Sequence, residues 1–461
     1  MPINTLVDQT KKYLASFFFP LTLAVLAVLI WTFSQAWVIV FVVIFCLMTF
    51  LPLLAEDGRS YLPLLLFAFI MTNVKISFAT IPIYLYFVSA CLMLSLILYL
   101  ILHRVPFRRG DLLLTMAVLF VWFFISYLYN SSKQGLADET GIFYLVSFFI
   151  ALVMYSLLST VLGKGGVLPY FSETVVLLSL SIVAELFIYY FRNGFEIAPV
   201  SFSLGWSYTS QTASTLLCLA LPFYGILIYN KKIVWIIPEA LTITSIILLS
   251  ADSGLLCLIF MIIPLILLTF RSYGKFYSYI SLVSIVAIGI TFAVLLAVNT
   301  RFNARVMTAI QSLSLFDESA VWRKTLFEEA IKNIKTNPYV GTSISSFTNS
   351  NGTLTLASNT ILTTMVLGGS IGLIFYVIFE IRLYYLCLRK QTPDRWLFFL
   401  FLLVIELIGL IDNTIYNMMI LVFFLTANAC YQMSNRPEDV LIHEEDYRTY
   451  VPAPESPVLP K

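Results

Sequence analysis

The sequence predicts an all-α polytopic membrane protein, and three observations carry that prediction. Apolar runs of membrane-crossing length succeed one another along most of the chain, and a single long segment, Asn299 to Ala357, is mainly polar. The composition agrees: of 461 residues, 60% are hydrophobic and only 11% charged, with 39 Phe and 26 Tyr, and the mean hydropathy is +0.93. A soluble domain of this size could not hide that much apolar surface.

The runs near 18–32, 37–54, 82–102, 112–130, 141–160, 172–190, 208–229, 233–250, 254–270, 277–297, 360–387 and 397–430 each reach or approach the roughly 20 residues of a helical crossing. Residues 61–72 form a shorter run, either a brief span or one arm of a re-entrant hairpin with 73–83. Residues 397–430 have room for two helices broken around Asp412 and Asn413. Counting both as crossings gives about 14 spans, with about 12 as the alternative.

The basic residues support the larger count. With it, Lys11 and Lys12, His103 with Arg104, Arg108 and Arg109, Lys164, Lys231 and Lys232, Arg271 with Lys275, and Arg389, Lys390 and Arg395 all fall on one side. That side is expected to be the cytoplasm, and it holds both termini. The other side receives Lys133 with Asp138 and Glu139, the 191–206 segment, the turn at Ala251 and Asp252, and all of 299–357. The apolar start has no small-residue cleavage pattern, so the first span is read as the insertion signal. Domain organisation follows: 1–434 is a polytopic membrane domain containing the 299–357 extracytoplasmic loop, and 435–461, Pro-rich and without apolar periodicity, is a disordered cytoplasmic tail. The six Cys lie mostly in apolar runs and none falls in the outer segment, so no disulfide framework is expected.

Within the outer segment, Asp317 to Ser319 fit a helix start. From Ala320 onward, Arg323, Phe327, Ala330, Ile331 and Ile334 recur at helical spacing until Asn337-Pro338 stops the pattern. Lys324, Glu328 and Lys332 lie on the opposite flank, which reads as an amphipathic helix against the membrane domain. Arg323 belongs to the apolar stripe and there requires an anionic partner. Arg301 and Arg305, four residues apart, share a face if the helix continues beyond 297. Headgroup snorkelling explains them, as does a cationic pocket formed with Arg323, because guanidinium groups grip phosphate oxygens through two parallel hydrogen bonds. The 341–347 and 349–353 stretches are polar, turn-rich loops.

The order Arg323, Phe327, Ala330, Ile334, Pro338, Gly341, then Ser358-Asn359 and Leu367-Gly-Gly-Ser-Ile-Gly-Leu373 entering a span, resembles the membrane signature of the bacterial O-antigen polymerase and O-antigen ligase superfamily. The stretch Trp206 to Ala213 is similar to the family segment that opens a span. The chain departs from the pattern at Ser358, where the family has His, and at Ala251-Asp252-Ser253-Gly254, where it has an Arg before the span. Both departures favour the polymerase branch over the ligase branch.

The resemblance implies a GT-C-like glycosyltransferase of the bacterial inner membrane, using undecaprenyl-pyrophosphate-linked oligosaccharides as donors, with no cofactor and no metal. Residue by residue, it places Arg323 in catalysis and Tyr208, Gln211, Gly341 and Asn359 in substrate binding; the cationic-pocket reading adds Arg305 to catalysis and Arg301 to binding, and with the family His absent, Asp252 is the outward acid taken as base. Membrane lipids and a chain-length regulator protein are the implied partners. Asp252 also has a simpler reading, as a cap of the helix that follows it. Asp317, Glu318, Glu328, Glu329 and Asp412 are the other outward acids. The alternatives are a ligase, and a flippase or transporter that would use the membrane acids Glu185, Glu239, Glu380 and Glu406. No phosphate-cradling Gly-rich loop, dinucleotide fingerprint or zinc-protease motif occurs, and no basic stripe points to nucleic acid.

Overall fold

A helix underlies each apolar run, since in hydrocarbon a helix satisfies its own backbone donors and acceptors. The computed structural model describes residues 3–33, 35–55, 58–72, 83–134, 139–162, 166–199, 201–202, 204, 210–311, 321–342, 359–390, 392, 394–411 and 416–434. The helices are α1 (Ile3–Leu14), α2 (Phe18–Thr32), α3 (Gln35–Met48), α4 (Tyr61–Thr72), α5 (Ile83–Leu102), α6 (Leu113–Gln134), α7 (Glu139–Val161), α8 (Val167–Asn193) and α9 (Ser210–Tyr229). They continue as α10 (Ile236–Leu249), α11 (Asp252–Phe270), α12 (Lys275–Val298), α13 (Thr300–Gln311), α14 (Val321–Thr336), α15 (Thr360–Arg389), α16 (Arg395–Gly409) and α17 (Met418–Met433). No strand occurs among the described residues.

The protein is an all-α, multi-pass membrane protein. Among the described residues six helices, α6, α8, α9, α11, α12 and α15, are long and apolar enough to cross a membrane, and a seventh span arises if α1 and α2 are counted as one bent element. Shorter apolar helices fill the remaining runs. The 397–430 run is two helices, α16 and α17. Asp412 and Asn413, the 73–82 segment and the 435–461 tail lie outside the described residues.

Burial ranks the helices. In α9, 89% of the central window is buried, against 6% in α12, so α9 is the axis of the bundle and α12 a peripheral helix. Around that axis Phe171 of α8, Phe223 of α9, Phe401 of α16 and Phe423 of α17 form one aromatic knot with ring centroids 5.1–6.1 Å apart. Such pairs add to the stability that burial of their area already gives.

One end of the bundle gathers the basic loops. The Tyr170 hydroxyl donates to Leu14 O at 3.1 Å, Arg108 N donates to Thr160 Oγ1 at 3.1 Å, and Lys232 pairs with Glu173. Lys231 donates to Ser272 O, Lys390 Nζ to Gln432 O at 2.8 Å, and Tyr155 to Gln432 Oε1 at 3.0 Å. The turn at Ala251 and Asp252, α13 and Asn359 belong to the opposite end.

The 360–387 run is a broken helix. Gly369 has φ 63 and ψ −161, dividing α15 into 360–368 and 370–389. Length shows that the break bends the chain. The 30 residues of α15 would span about 45 Å if straight, and the 15 of α16 only about 22 Å. Yet the two helices meet at both ends: Cys387 Sγ lies 3.7 Å from Arg395 O, and Asn359 Nδ2 donates to Leu410 O at 3.0 Å. The first segment of α15 therefore folds back toward the end of α16.

Candidate functional site

The break is completed by a turn from within the polar segment. After α14 stops at Thr336, the turn Pro338–Thr342 inserts against it. Ser370 N donates to Pro338 O at 2.8 Å, Ile371 N to Tyr339 O at 3.4 Å, and Thr342 N to Val366 O at 2.8 Å. Gly341, at φ 81, has no room for a side chain, since a Cβ there would lie 2.5 Å from Val366 O. Helix α6 supplies the remaining partners. Trp122 Nε1 donates to Gly368 O at 2.8 Å, and the Ser126 hydroxyl lies 2.7 Å from Leu367 O and 2.8 Å from Val340 O, its one hydrogen shared between them. Asn130 Nδ2 donates to Ser126 O at 2.8 Å and to Gly341 O at 3.1 Å. Irregular backbone at membrane depth persists only with its polar groups satisfied in this way.

Helix α14 packs on the first segment of α15 through Ala330 and Val366, with Ile334 and Leu362 beside them. Its buried stripe differs from the expected one. Leu326 and Ala330 are buried, whereas Phe327 and Ile331 are half-exposed and line a surface concavity of about 520 Å³ with Glu328, Lys332 and Lys335. Arg323 stands in the first turn of α14, three residues before Leu326, and its side chain is outside the described residues.

Arg301 and Arg305 are on one short helix, α13, separate from α12. Asn299 interrupts the chain, and its Oδ1 caps α13 by accepting from Phe302 N at 2.9 Å. Phe302, Val306 and Ala309 bury the inner face of α13 against α11 and α12 and leave Arg301 and Arg305 exposed. Arg301 Nη1 pairs with Glu196 Oε1 at 2.7 Å, with side chains 72% and 48% exposed. This ties α13 to the segment after α8. That segment in turn rests on the α10–α11 turn, where Ala198 N donates to Leu248 O at 2.9 Å.

Asp252 is the first residue of α11, with Ala251 in the cap position making no side-chain bond. It stands inside the first turn, where the helix dipole favours a carboxylate, rather than in the position before the helix. Gln211 stands at the matching end of α9. The two helix starts are held close: Thr215 and Ser253 hydroxyls are 3.2 Å apart, and a Cβ on Gly254 would fall 1.7 Å from Ser214 Oγ.

Helix α16 joins the two groups. Cys257 Sγ is 4.0 Å from Val404 O. Asp252 lies five residues, about 7.5 Å, beyond Cys257, and Leu410 six residues, about 9 Å, beyond Val404. Asp252 and the Asn359 amide bound to Leu410 O thus stand at one height on α16. The end of the bundle opposite the basic loops therefore carries Asp252, Gln211, Asn359, Arg301 and Arg305. Tyr208, Asp317, Glu318, Ser358 and the 343–353 loops lie outside the described residues. Of the membrane acids, Glu185 is buried with neither carboxyl oxygen hydrogen-bonded, and Glu380 adjoins Glu406 and Tyr376.

The sequence reading missed Trp122, Ser126 and Asn130. Their spacing of four places them on one face of α6, and a Trp, a Ser and an Asn aligned in an apolar helix was a signal available without coordinates. Comparison of the chain with protein-family models and with curated proteins gives no match.

Proposed function

We propose that the chain is a membrane glycosyltransferase of the polysaccharide-polymerase type, transferring a growing glycan from undecaprenyl pyrophosphate onto a lipid-linked repeat unit at the outer face of a bacterial inner membrane. The observation that carries this reading is the Pro338–Gly341 turn seated in the α15 break at Gly369. The two halves of the motif behind the resemblance are partners in space, so the turn after α14 is built into the bundle. In this reading the chain crosses about 14 times in a GT-C-like arrangement, with the basic end and both termini in the cytoplasm.

The chemistry follows from the substrates. The acceptor hydroxyl attacks the anomeric carbon of the donor glycan, a new C–O bond forms, and the bond to the carrier diphosphate breaks. The acceptor proton passes to Asp252, directly or through one water. Negative charge grows on the departing diphosphate, and Arg305 and Arg323 stabilise it, each removed donor costing about 2–4 kcal/mol of barrier by analogy with preorganised sites. Arg301, Gln211, Tyr208, Asn359 and Gly341 belong to the substrate-binding surface.

Purified protein supplied with one undecaprenyl-pyrophosphate repeat unit, without nucleotide sugar or ATP, is expected to produce a ladder of longer lipid-linked glycans. Extension only after addition of a separate lipid or protein acceptor would assign a ligase. Movement of the intact substrate across a vesicle membrane, with no new glycosidic bond, would assign a flippase.

A further inference from the structure

Helices α3 and α5 run side by side in the same direction. The Ser95 hydroxyl of α5 donates to Thr49 O, just past the end of α3, at 2.6 Å, and further along both chains His103 Nε2 lies 3.2 Å from Leu53 O. Cys46 precedes Thr49 by three residues and Cys91 precedes Ser95 by four. Each Cys therefore stands one helical turn back from the first contact, at one height and on the facing sides of the two helices. Their thiols adjoin. Both are free in the structure.

The pair lies within the hydrocarbon and opens toward lipid. Cys91 is 12 residues, about 18 Å, along α5 from His103, which stands with the basic loops. Cys46 is buried and Cys91 half-buried. The surface around them is apolar: Val43 and Leu47 flank Cys46, Phe87 and Leu94 flank Cys91, and all four are exposed. A water-soluble oxidant does not partition into such a surface, whereas a flat lipophilic one does, and the Phe87 ring, one turn from Cys91, gives it a face to stack on. A second neighbouring pair, Cys218 and Cys257, is fully buried between α9, α11 and α16, out of reach of lipid.

We propose that Cys46 and Cys91 are a redox site oxidised to a disulfide by a membrane quinone. Both S–H bonds break and one S–S bond forms. Two electrons reduce the quinone and the two protons pass to its oxygens, giving the quinol. The half-buried Cys91 meets the oxidant, and the adjoining Cys46 closes the bond. Exchange with soluble disulfides needs access from water, which the site does not give. The bond staples α3, whose Ile39, Val40, Val43, Ile44 and Leu47 face outward, onto α5, so the redox state of the quinone sets how firmly this outer helix is held. The site is independent of the glycosyl-transfer reading.

The test uses the full chain in lipid nanodiscs without oxygen, with a fully ring-substituted benzoquinone in the lipid, reading quinol absorbance and the non-reduced peptides by mass spectrometry. One quinol should form per chain, together with a peptide linked through Cys46 and Cys91. Cys46→Ser and Cys91→Ser should each abolish both signals, while Cys218→Ser/Cys257→Ser should keep them. Oxidised glutathione supplied in the aqueous phase should give the same link at least ~10-fold more slowly. Absence of the linked peptide in the wild-type chain, a link between other cysteines, or an equal rate with oxidised glutathione would overturn the proposal, and none of these three outcomes needs a variant to fold.

Discussion

Gly341 and Gly369 meet backbone to backbone, both in the left-handed region, at φ 81 and φ 63. A Cβ on Gly341 would sit 2.6 Å from Gly369 N, and a Cβ on Gly369 would sit 2.3 Å from Tyr339 O. The atoms in the way are backbone, which cannot swing aside as a side chain can. Gly341→Ala and Gly369→Ala should each cost at least ~2 kcal/mol, from conformational strain and the clash together. Gly289→Ala, on the open face of α12, meets nothing within 4 Å and should be neutral or stabilising. Thermal unfolding of the detergent-solubilised variants checks this, and equal melting temperatures for all three would disprove the role given to the break.

The Arg301–Glu196 pair separates a structural role from a chemical one. As an exposed ion pair it contributes only about 0–1 kcal/mol to stability. Glu196→Gln should then leave melting unchanged and, by freeing Arg301 for phosphate oxygens, should lower KM for the lipid-linked donor. Arg301→Gln should raise it. Matching effects of the two substitutions on donor KM would show that only the pair matters.

Asp394 gives a pH dependence at the basic end. Its Oδ1 is buried without a hydrogen bond, and burial pushes its carboxyl up to about 6. An unfolded Asp titrates near ~4, so between about 4 and 6 the folded chain holds a proton that the unfolded chain has released. The associated stability is complete below the unfolded value and is lost as pH rises through about 6. Raising the pH from 5 to 7 should therefore lower wild-type stability by about 1 kcal/mol through this group. Asp394→Asn should remove that part of the pH dependence and be the more stable protein at pH 7. Parallel melting curves across this range would refute the assignment.

Sidedness is tested by single cysteines placed in a chain freed of its six native ones. An impermeant thiol reagent should label Ser346→Cys in intact cells and Ser434→Cys only after lysis. The reverse pattern would turn the bundle over and move the proposed chemistry to the other side.

The helices were legible because each apolar run is long, and in a membrane only a helix or a closed barrel satisfies the backbone. The placement of Asp252 at the start of α11 and of Gln211 at the start of α9 followed from where those runs begin. The break in α15 was not legible. Leu367-Gly-Gly reads equally well as a continuous small-residue entry to a span, and what opens the helix is a turn about 30 residues earlier together with α6, whose Trp122 lies 246 residues from its partner Gly368. The Arg301–Glu196 contact spans 105 residues and had no local signal. The stripe on α14 was half legible, because spacing fixes a face while only the neighbouring Val366 decides which edge of that face is buried.

If departure of the carrier diphosphate drives chain growth, every bond formed must release one carrier. The most direct measurement is the number of undecaprenyl pyrophosphate molecules released for each glycosidic bond formed, with purified protein and the lipid-linked repeat unit as the only glycan source. One carrier should be released per bond at every chain length, and Arg305→Ala should lose release and growth together. Carrier release without new bonds, or growth that requires a nucleotide sugar, would contradict this coupling.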